Sequence, residues 1–400
     1  MNEAVIVDAV RTPIGRYKGA LKDVRPDDLG AAVIKSLMAR NPELPPDAVE
    51  DVIFGNANGA GEDNRNVARM SLLLAGLPVS VSGTTVNRLC GSSLDAVSSA
   101  ARAILSGEQE IIIAGGTESM TRAPFVMKKP DKDYPRGNME MVDTTIGWRF
   151  PNPKLAEMYG IDSMPETAEH VAERFHITRE AQDAFAYESQ QKAKAAMEKE
   201  RFKDEIISVT YRDRKGNEVT VEQDEHPRPE TTLQKLRTLS PLFPDGTVTT
   251  GNASGVNDGA SALLIMRAET AKAYGLKPLV RFKGSATAGV EPSIMGIGPV
   301  ASTQKLLQRL SMNVSDIDLV ELNEAFASQS VACIRELGLQ PERVNVNGGA
   351  IAFGHPLGAS GARILTTLIY EMKKREASIG LATMCIGVGQ GISVIVENMA

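Results

Sequence analysis

The sequence predicts an α/β fold made of two similar halves, with a helical segment inserted into the first. Three observations carry this. Strand-like and helix-like stretches alternate up to about Gly116 and again through the last third of the chain, which argues for layered α/β packing. Asp51-Val52-Ile53-Phe54-Gly55-Asn56 overlays residue by residue on Asp318-Leu319-Val320-Glu321-Leu322-Asn323, setting Asn56 opposite Asn323 and pointing to a duplication. The stretch from Thr117 to Thr250 breaks the alternation with methionine, proline and charged clusters.

In order, Ala4–Val10 reads as a strand, and Pro26–Met38 as a helix through Leu29, Ala32, Val33 and Leu37. Val49–Asn56 is a second strand and Asn66–Leu74 a short helix. A further helix carries Leu94, Val97, Ala101, Ile104 and Leu105 on one face, and Glu110–Ala114 is a strand. Within the insertion, Thr178 caps a helix running to about Lys199, with Glu180 in its first turn. The last third repeats the order. Strands are expected at Pro278–Gly284, Asp316–Asn323, Ser378–Met384 and Gly391–Glu397, and helices at Val300–Leu310 and Gly358–Lys373. The expected division is 1–116 for the first part of the N-terminal half, 117–250 for the inserted loop domain, 251–272 for the end of that half, and 273–400 for the C-terminal half.

Composition narrows the function. A chain of 400 residues with a 42% hydrophobic share supports more than one packed unit. A net charge of −6 argues against general nucleic-acid binding. Three cysteines make no disulfide framework and fit a reducing compartment. No apolar run reaches membrane-span length. The opening Ala4-Val5-Ile6-Val7 is already strand-like, with no signal-like stretch before it, and Glu397-Asn398-Met399-Ala400 is not a peroxisomal address. The expected location is cytoplasmic.

The chemistry centres on Cys90, in Val86-Asn87-Arg88-Leu89-Cys90-Gly91-Ser92-Ser93-Leu94. Its place at a helix N-terminus favours a thiolate, the reactive form. Taken alone, this stretch suits a buried core cysteine equally well. Two later stretches weigh against that: Asn347-Gly348-Gly349-Ala350-Ile351-Ala352-Phe353-Gly354-His355-Pro356-Leu357-Gly358, and Met384-Cys385-Ile386-Gly387-Val388-Gly389-Gln390-Gly391. Together with Asn323-Glu324-Ala325-Phe326, these motifs resemble the thiolase family over nearly the whole chain.

The resemblance implies two mixed-sheet halves in an αβαβα layering, with the inserted loop domain covering the active site and binding coenzyme A. It implies Cys90 as acyl-accepting nucleophile, His355 as the base that takes its proton, and Cys385 as second acid/base. One oxyanion hole would comprise His355 and a water held by Asn323; the other, the backbone N–H groups of Cys90 and Gly387. Ser254, in Gly251-Asn252-Ala253-Ser254-Gly255, matches the serine touching the pantetheine arm, and Met164 a pocket-lining methionine. Arg228 matches a basic residue near the nucleotide, where a solvated surface charge is the competing reading. Phe243 is expected in the pantetheine tunnel or in the core, and Phe326 at the substrate. Ser93 departs from the family, which commonly has glycine there; its Cβ threatens to narrow the acyl pocket.

Other readings fare worse. Gly387-Val388-Gly389-Gln390-Gly391 precedes a strand, not the helix a dinucleotide loop needs. Cys90, His355 and Cys385 lack the short paired spacing of structural zinc ligands, so no metal is expected. Cys333 sits in an unpunctuated helical stretch and belongs to the core; His170, His176 and His226 are read as structural or exposed. The expected activity is reversible coenzyme-A-dependent cleavage of 3-ketoacyl-CoA, with coenzyme A as substrate and no tightly bound cofactor. Asp143–Phe150, Met164–Glu169, His226–Leu233 and Met295–Val300 look most like β-ketoadipyl-CoA thiolases, whose substrate carries a terminal carboxylate; Arg149 and Arg65 are candidate partners for it. Acetyl-CoA acetyltransferase and a broad fatty-acid thiolase are the alternatives. A carrier-protein-dependent condensing enzyme is disfavoured by Cys385, and a non-catalytic acyl-CoA-binding scaffold by retention of all four motifs. Family members are homodimers or homotetramers.

Overall fold

A computed structural model describes residues 2–399. The strands of the main sheet are β1 (Ala4–Arg11), β2 (Asp51–Gly55), β3 (Ser82–Val86), β4 (Ile111–Ser119), β5 (Asn257–Arg267), β6 (Val280–Gly289), β7 (Leu319–Leu322), β8 (Ile379–Ile386) and β9 (Gln390–Asn398). The main helices are α1 (Pro26–Arg40), α2 (Val67–Leu74), α3 (Ser92–Ser106), α4 (Met164–Arg174), α5 (Arg179–Glu198), α6 (Gly298–Leu310), α7 (Ala327–Leu337) and α8 (Ser360–Arg375).

The strand order is β7-β8-β9-β6-β1-β5-β4-β2-β3. It mirrors itself about the β6–β1 junction, where only Val5↔Arg281 and Ile6↔Val280 pair. On one side β1, β5 and β4 run antiparallel and β2 joins β4 in parallel. On the other side β6, β9 and β8 run antiparallel and β7 joins β8 in parallel. The overlay of Asp51–Asn56 on Asp318–Asn323 therefore sets β2 against its counterpart β7. The edge strand β3 has only a bridge at Val344 in the matching position. Sequence reading passed over β3, whose side chains are all exposed or half-buried and so carry no buried face. It also left β5 unassigned; that central strand is buried along nearly its whole length, so no alternation marks it.

Three apolar clusters account for the layering. One lies under α1 and α2, built from Leu29, Val33, Leu37 and Leu72 against Val5, Val52 and Leu264. A second lies under α6 and α7, with Leu306, Leu307, Cys333 and Leu337 on Val320, Leu381 and Ile395. The third lies between the halves, where Leu94, Val97 and Ile104 of α3 and Ile364, Leu365 and Leu368 of α8 meet strands of both. The result is helix, sheet, helix, sheet, helix. Burying a side chain such as Leu94 contributes about 1.5–3 kcal/mol, so the central layer holds the halves together. α3 and α8 approach closely because Gly361 has no Cβ; one placed there would lie 2.6 Å from the Leu94 Cβ. Thr178 caps α5 as expected, accepting from the Ala181 N–H. The segment between β4 and β5 carries α4 and α5, which pack on α7 and on the short helix Ala350–Phe353 just ahead of His355.

Candidate active site

Leu89 adopts a left-handed conformation, φ 46°, an unfavourable state for a branched side chain. The Asn87 Oδ1 accepts its N–H, and the Ser92 Oγ bonds both Arg88 and Leu89. This turn presents Cys90 just ahead of α3, which begins at Ser92. The N–H groups of Gly387 and of Cys90 itself face the sulfur and favour its anion. Burial outweighs them: the thiol is pushed up to about 11, with the nearby Glu118 carboxylate adding to the rise. The helix N-terminus and burial thus act in opposite senses on this thiol.

His355 follows a sharp turn at Gly354, φ 97°, where a Cβ would strike the Asn257 amide. The Asn257 Oδ1 accepts the His355 N–H. The ring Nδ1 lies 2.6 Å from the Ser360 Oγ, and that hydroxyl donates to the Pro356 carbonyl. With its one proton so committed, the hydroxyl accepts from Nδ1–H, and Nε2 keeps its lone pair. Burial, aided by the Arg363 charge, holds the imidazole neutral, with its pKa lowered to about 3. A neutral thiol and a neutral base are the resting components of proton abstraction.

Cys385 ends β8 among Met295, Phe326, Met164 and Ala253, and burial raises its thiol well above the ordinary value. Ionisation of Cys90 would raise it further. Asn323 is 1% exposed, and neither atom of its carboxamide bonds within the described residues. Gly387 faces Leu89 and the Met164 sulfur.

One cavity of about 900 Å³ joins Cys90, His355 and Cys385. Met164, Ser254 and Phe326 line it, as does Arg228. Leu242 lines it in place of the expected Phe243. Arg149 and Arg65 do not reach it; its cationic side chains are Arg16, Arg228 and Lys235. His226, read from sequence as structural or exposed, also lines the cavity and pairs with Asn257. Ser93 points away from it: fully buried, its Oγ accepts the Ala362 N–H of α8. The feared narrowing of the acyl pocket does not arise. Cys333 is a core residue, its Sγ bonded to the Gly296 carbonyl.

Sequence reasoning missed Ser360, Asn257 and Glu118. Ser360 has the one available signal, a hydroxyl five residues beyond His355 at a helix start. Glu118 is a lone charge ending an apolar strand. Among the described residues, no group of three or more His, Cys, Asp or Glu side chains is arranged to hold a metal, and no helix is long and apolar enough to cross a membrane.

A cysteine under two backbone N–H groups, beside a neutral imidazole and a second thiol, is apparatus for acyl transfer through a thioester. Residues 4–269 match the thiolase N-terminal domain and 276–398 the thiolase C-terminal domain. The chain belongs to the thiolase family, and it is an acyltransferase that catalyses reversible coenzyme-A-dependent carbon–carbon cleavage. It is 56% identical over 402 residues to the β-ketoadipyl-CoA thiolase of Pseudomonas putida, covering 100% of both chains. It is 55% identical over 402 residues to the 3-oxoadipyl-CoA/3-oxo-5,6-dehydrosuberyl-CoA thiolase of Escherichia coli strain K12, again covering 100% of both. The Bacillus anthracis acetyl-CoA acetyltransferase superposes with a TM-score of 0.93 at 41% identity, over 100% of this chain and 99% of that one. Human mitochondrial 3-ketoacyl-CoA thiolase gives 0.92 at 39%, with the same coverage.

Proposed function

We propose that the chain cleaves β-ketoadipyl-CoA, with Cys90 as acyl acceptor. The observation that carries the site assignment is the single cavity shared by Cys90, His355 and Cys385. His355 Nε2 takes the Cys90 proton and the sulfur attacks the ketone carbon. The Cα–Cβ bond breaks, and Cys385 protonates the departing acetyl-CoA enolate. The acid-tailed acyl group stays on Cys90. The Cys385 thiolate then takes the proton of coenzyme A, whose sulfur attacks the thioester carbonyl; the Cys90–acyl bond breaks, and Cys90 regains the proton held on His355 Nε2. The unpartnered Asn323 carboxamide suits a water beside His355 at one oxyanion, and the Gly387 and Cys90 N–H groups suit the other. Ser254, Met164 and Phe326 would line the path of the pantetheine arm. Arg228, Arg16 and Lys235 offer cations to phosphates and to the substrate carboxylate.

The substrate reading rests on the full-length likeness to the two relatives above. The test is thiolysis by purified protein, comparing β-ketoadipyl-CoA, acetoacetyl-CoA and a longer 3-ketoacyl-CoA. A kcat/KM preference of at least tenfold for the first supports it; preference for acetoacetyl-CoA overturns it in favour of an acetyl-CoA acetyltransferase. We also read the enzyme as a cytoplasmic homo-oligomer. Its three free cysteines suit a reducing compartment, and exposed Leu73, Leu74 and Val79 near the edge strand β3 suit subunit contact. Light scattering that reported a monomer would remove the oligomer reading.

A further inference from the structure

We propose that Glu118 is a positioning residue for the reaction: it clamps the His355 loop onto the Cys90 half. The proposal rests on the assignment of Cys90 and His355 above.

Glu118 lies near the end of β4, 1% exposed. Its Oε2 accepts the N–H of Gly358 at 2.8 Å and that of Ala57 at 2.8 Å; its Oε1 accepts the N–H of Asn58 at 3.1 Å. The Asn56 amide reaches the same carboxylate at 3.4 Å. No lysine, arginine or histidine among the described residues forms an ion pair with it. One carboxylate thus joins the loop after β2 to the last residue of Gly354-His355-Pro356-Leu357-Gly358. Asn257, on the neighbouring strand β5, holds the other end of that loop through the His355 N–H. The fit allows no slack, because a Cβ on Gly358 would lie 2.6 Å from the Glu118 Oε2. A buried anion held by backbone N–H groups and one amide, with no cation paired to it, is costly. A neutral side chain would spare that cost, so retaining a carboxyl here points to a use for its charge.

That use is at Cys90. The Glu118 charge opposes ionisation of the thiol. The titratable groups facing Glu118 are Cys90 and Asp63, and burial with the Asp63 charge moves its own carboxyl up to about 7. Across the range where Cys90 loses its proton, Glu118 is ionised. A free thiolate is suppressed, while proton transfer to His355 in the presence of substrate is not, since the proton then moves within the site.

The test is Glu118→Gln and Glu118→Asp in the full-length enzyme, read by kcat and KM in thiolysis and by the rate of Cys90 alkylation with iodoacetamide against pH. Glu118→Gln should lower the alkylation midpoint, and kcat by roughly tenfold to a hundredfold with KM little changed. Glu118→Asp keeps the charge and shortens the reach, so kcat falls while the midpoint stays. Unchanged kcat in Glu118→Gln overturns the proposal. So does a Glu118→Asp enzyme with wild-type kcat, because the shortened carboxylate could not hold both loops. If wild-type Cys90 is not alkylated, or alkylation leaves activity intact, the assignment of Cys90 fails instead. Should neither variant fold, hydrogen exchange on the wild type decides: amides at Gly358 and Ala57–Asn58 should be strongly protected together, and rapid exchange at either overturns the clamp.

Discussion

Replacing Ser360 by alanine should disable the base without touching the substrate. The Ser360 hydroxyl is fully buried and holds the His355 Nδ1 at 2.6 Å while donating to the Pro356 carbonyl. Alanine removes both contacts and leaves a buried ring N–H without an acceptor, a cost of about 1–3 kcal/mol. The ring escapes part of that cost by moving its proton to Nε2 or by rotating, and either change removes the lone pair proposed to take the Cys90 proton. At 1.36 kcal/mol per factor of ten, kcat should fall by about tenfold to a hundredfold. Ser360 does not line the cavity, so KM should change by less than about threefold. The assay is steady-state thiolysis, with circular dichroism to show that the variant is folded. A folded Ser360→Ala enzyme whose kcat is within twofold of wild type would refute the tautomer argument.

Three further outcomes follow from the geometry. Cys385→Ala should still be alkylated at Cys90, as read by mass spectrometry, yet lose about 10²–10⁴-fold in thiolysis; activity within tenfold of wild type would remove Cys385 from the proton path. Ser93→Gly should lose the bond to the Ala362 N–H and about 1 kcal/mol of stability with kcat unchanged, measured by denaturant unfolding and thiolysis; a marked change in acyl preference would contradict the placement of that side chain. Stability should fall between about pH 6.5 and pH 8. Glu118 and Glu321 have folded pKa values raised to about 7 and about 8 by burial, so the native state holds protons that the unfolded state has released, and stability is lost as pH rises through those values. His355 and His226, lowered to about 3 and about 4, act in the opposite sense, but their contribution is complete once pH passes the unfolded value of 6.5. Thermal scans across this window should show a falling midpoint, with a smaller fall in Glu321→Gln; a flat or rising midpoint would contradict it.

Much of this arrangement was legible in the sequence, and the remainder fails for physical reasons. Cys90, His355 and Cys385 stand out because each lies in or beside a turn rich in glycine or proline. The duplication was visible because both parallel strands end in Asn, at Asn56 and Asn323. Glu118 and Asn257 were invisible as site residues because their partners lie 240 and 98 residues away. The burial that raises the Cys90 thiol was likewise illegible, because a helix N-terminus is a local feature and burial is set by the tertiary fold. Phe243 and Leu242 are neighbours in a loop without periodicity, so no pattern says which faces the cavity.

The duplication also explains why the reacting groups are divided as they are. The first half supplies Cys90 on the turn before α3, and the second supplies His355 on the loop before α8. These two helices face each other at the centre, and Gly361 brings them to van der Waals distance. The short contact that packs the halves therefore also helps bring Cys90 and His355 to one cavity. Ser93 ties the start of one helix to the start of the other, and Glu118 ties the flanking loops. Neither half alone contains a nucleophile with its base. A change that loosens the central layer should accordingly lower kcat before it lowers the affinity for coenzyme A, because α3 and α8 carry the loops of Cys90 and His355 whereas many cavity-lining residues, Met164, Arg228 and Lys235 among them, lie on the insertion; an equal loss in both would contradict it.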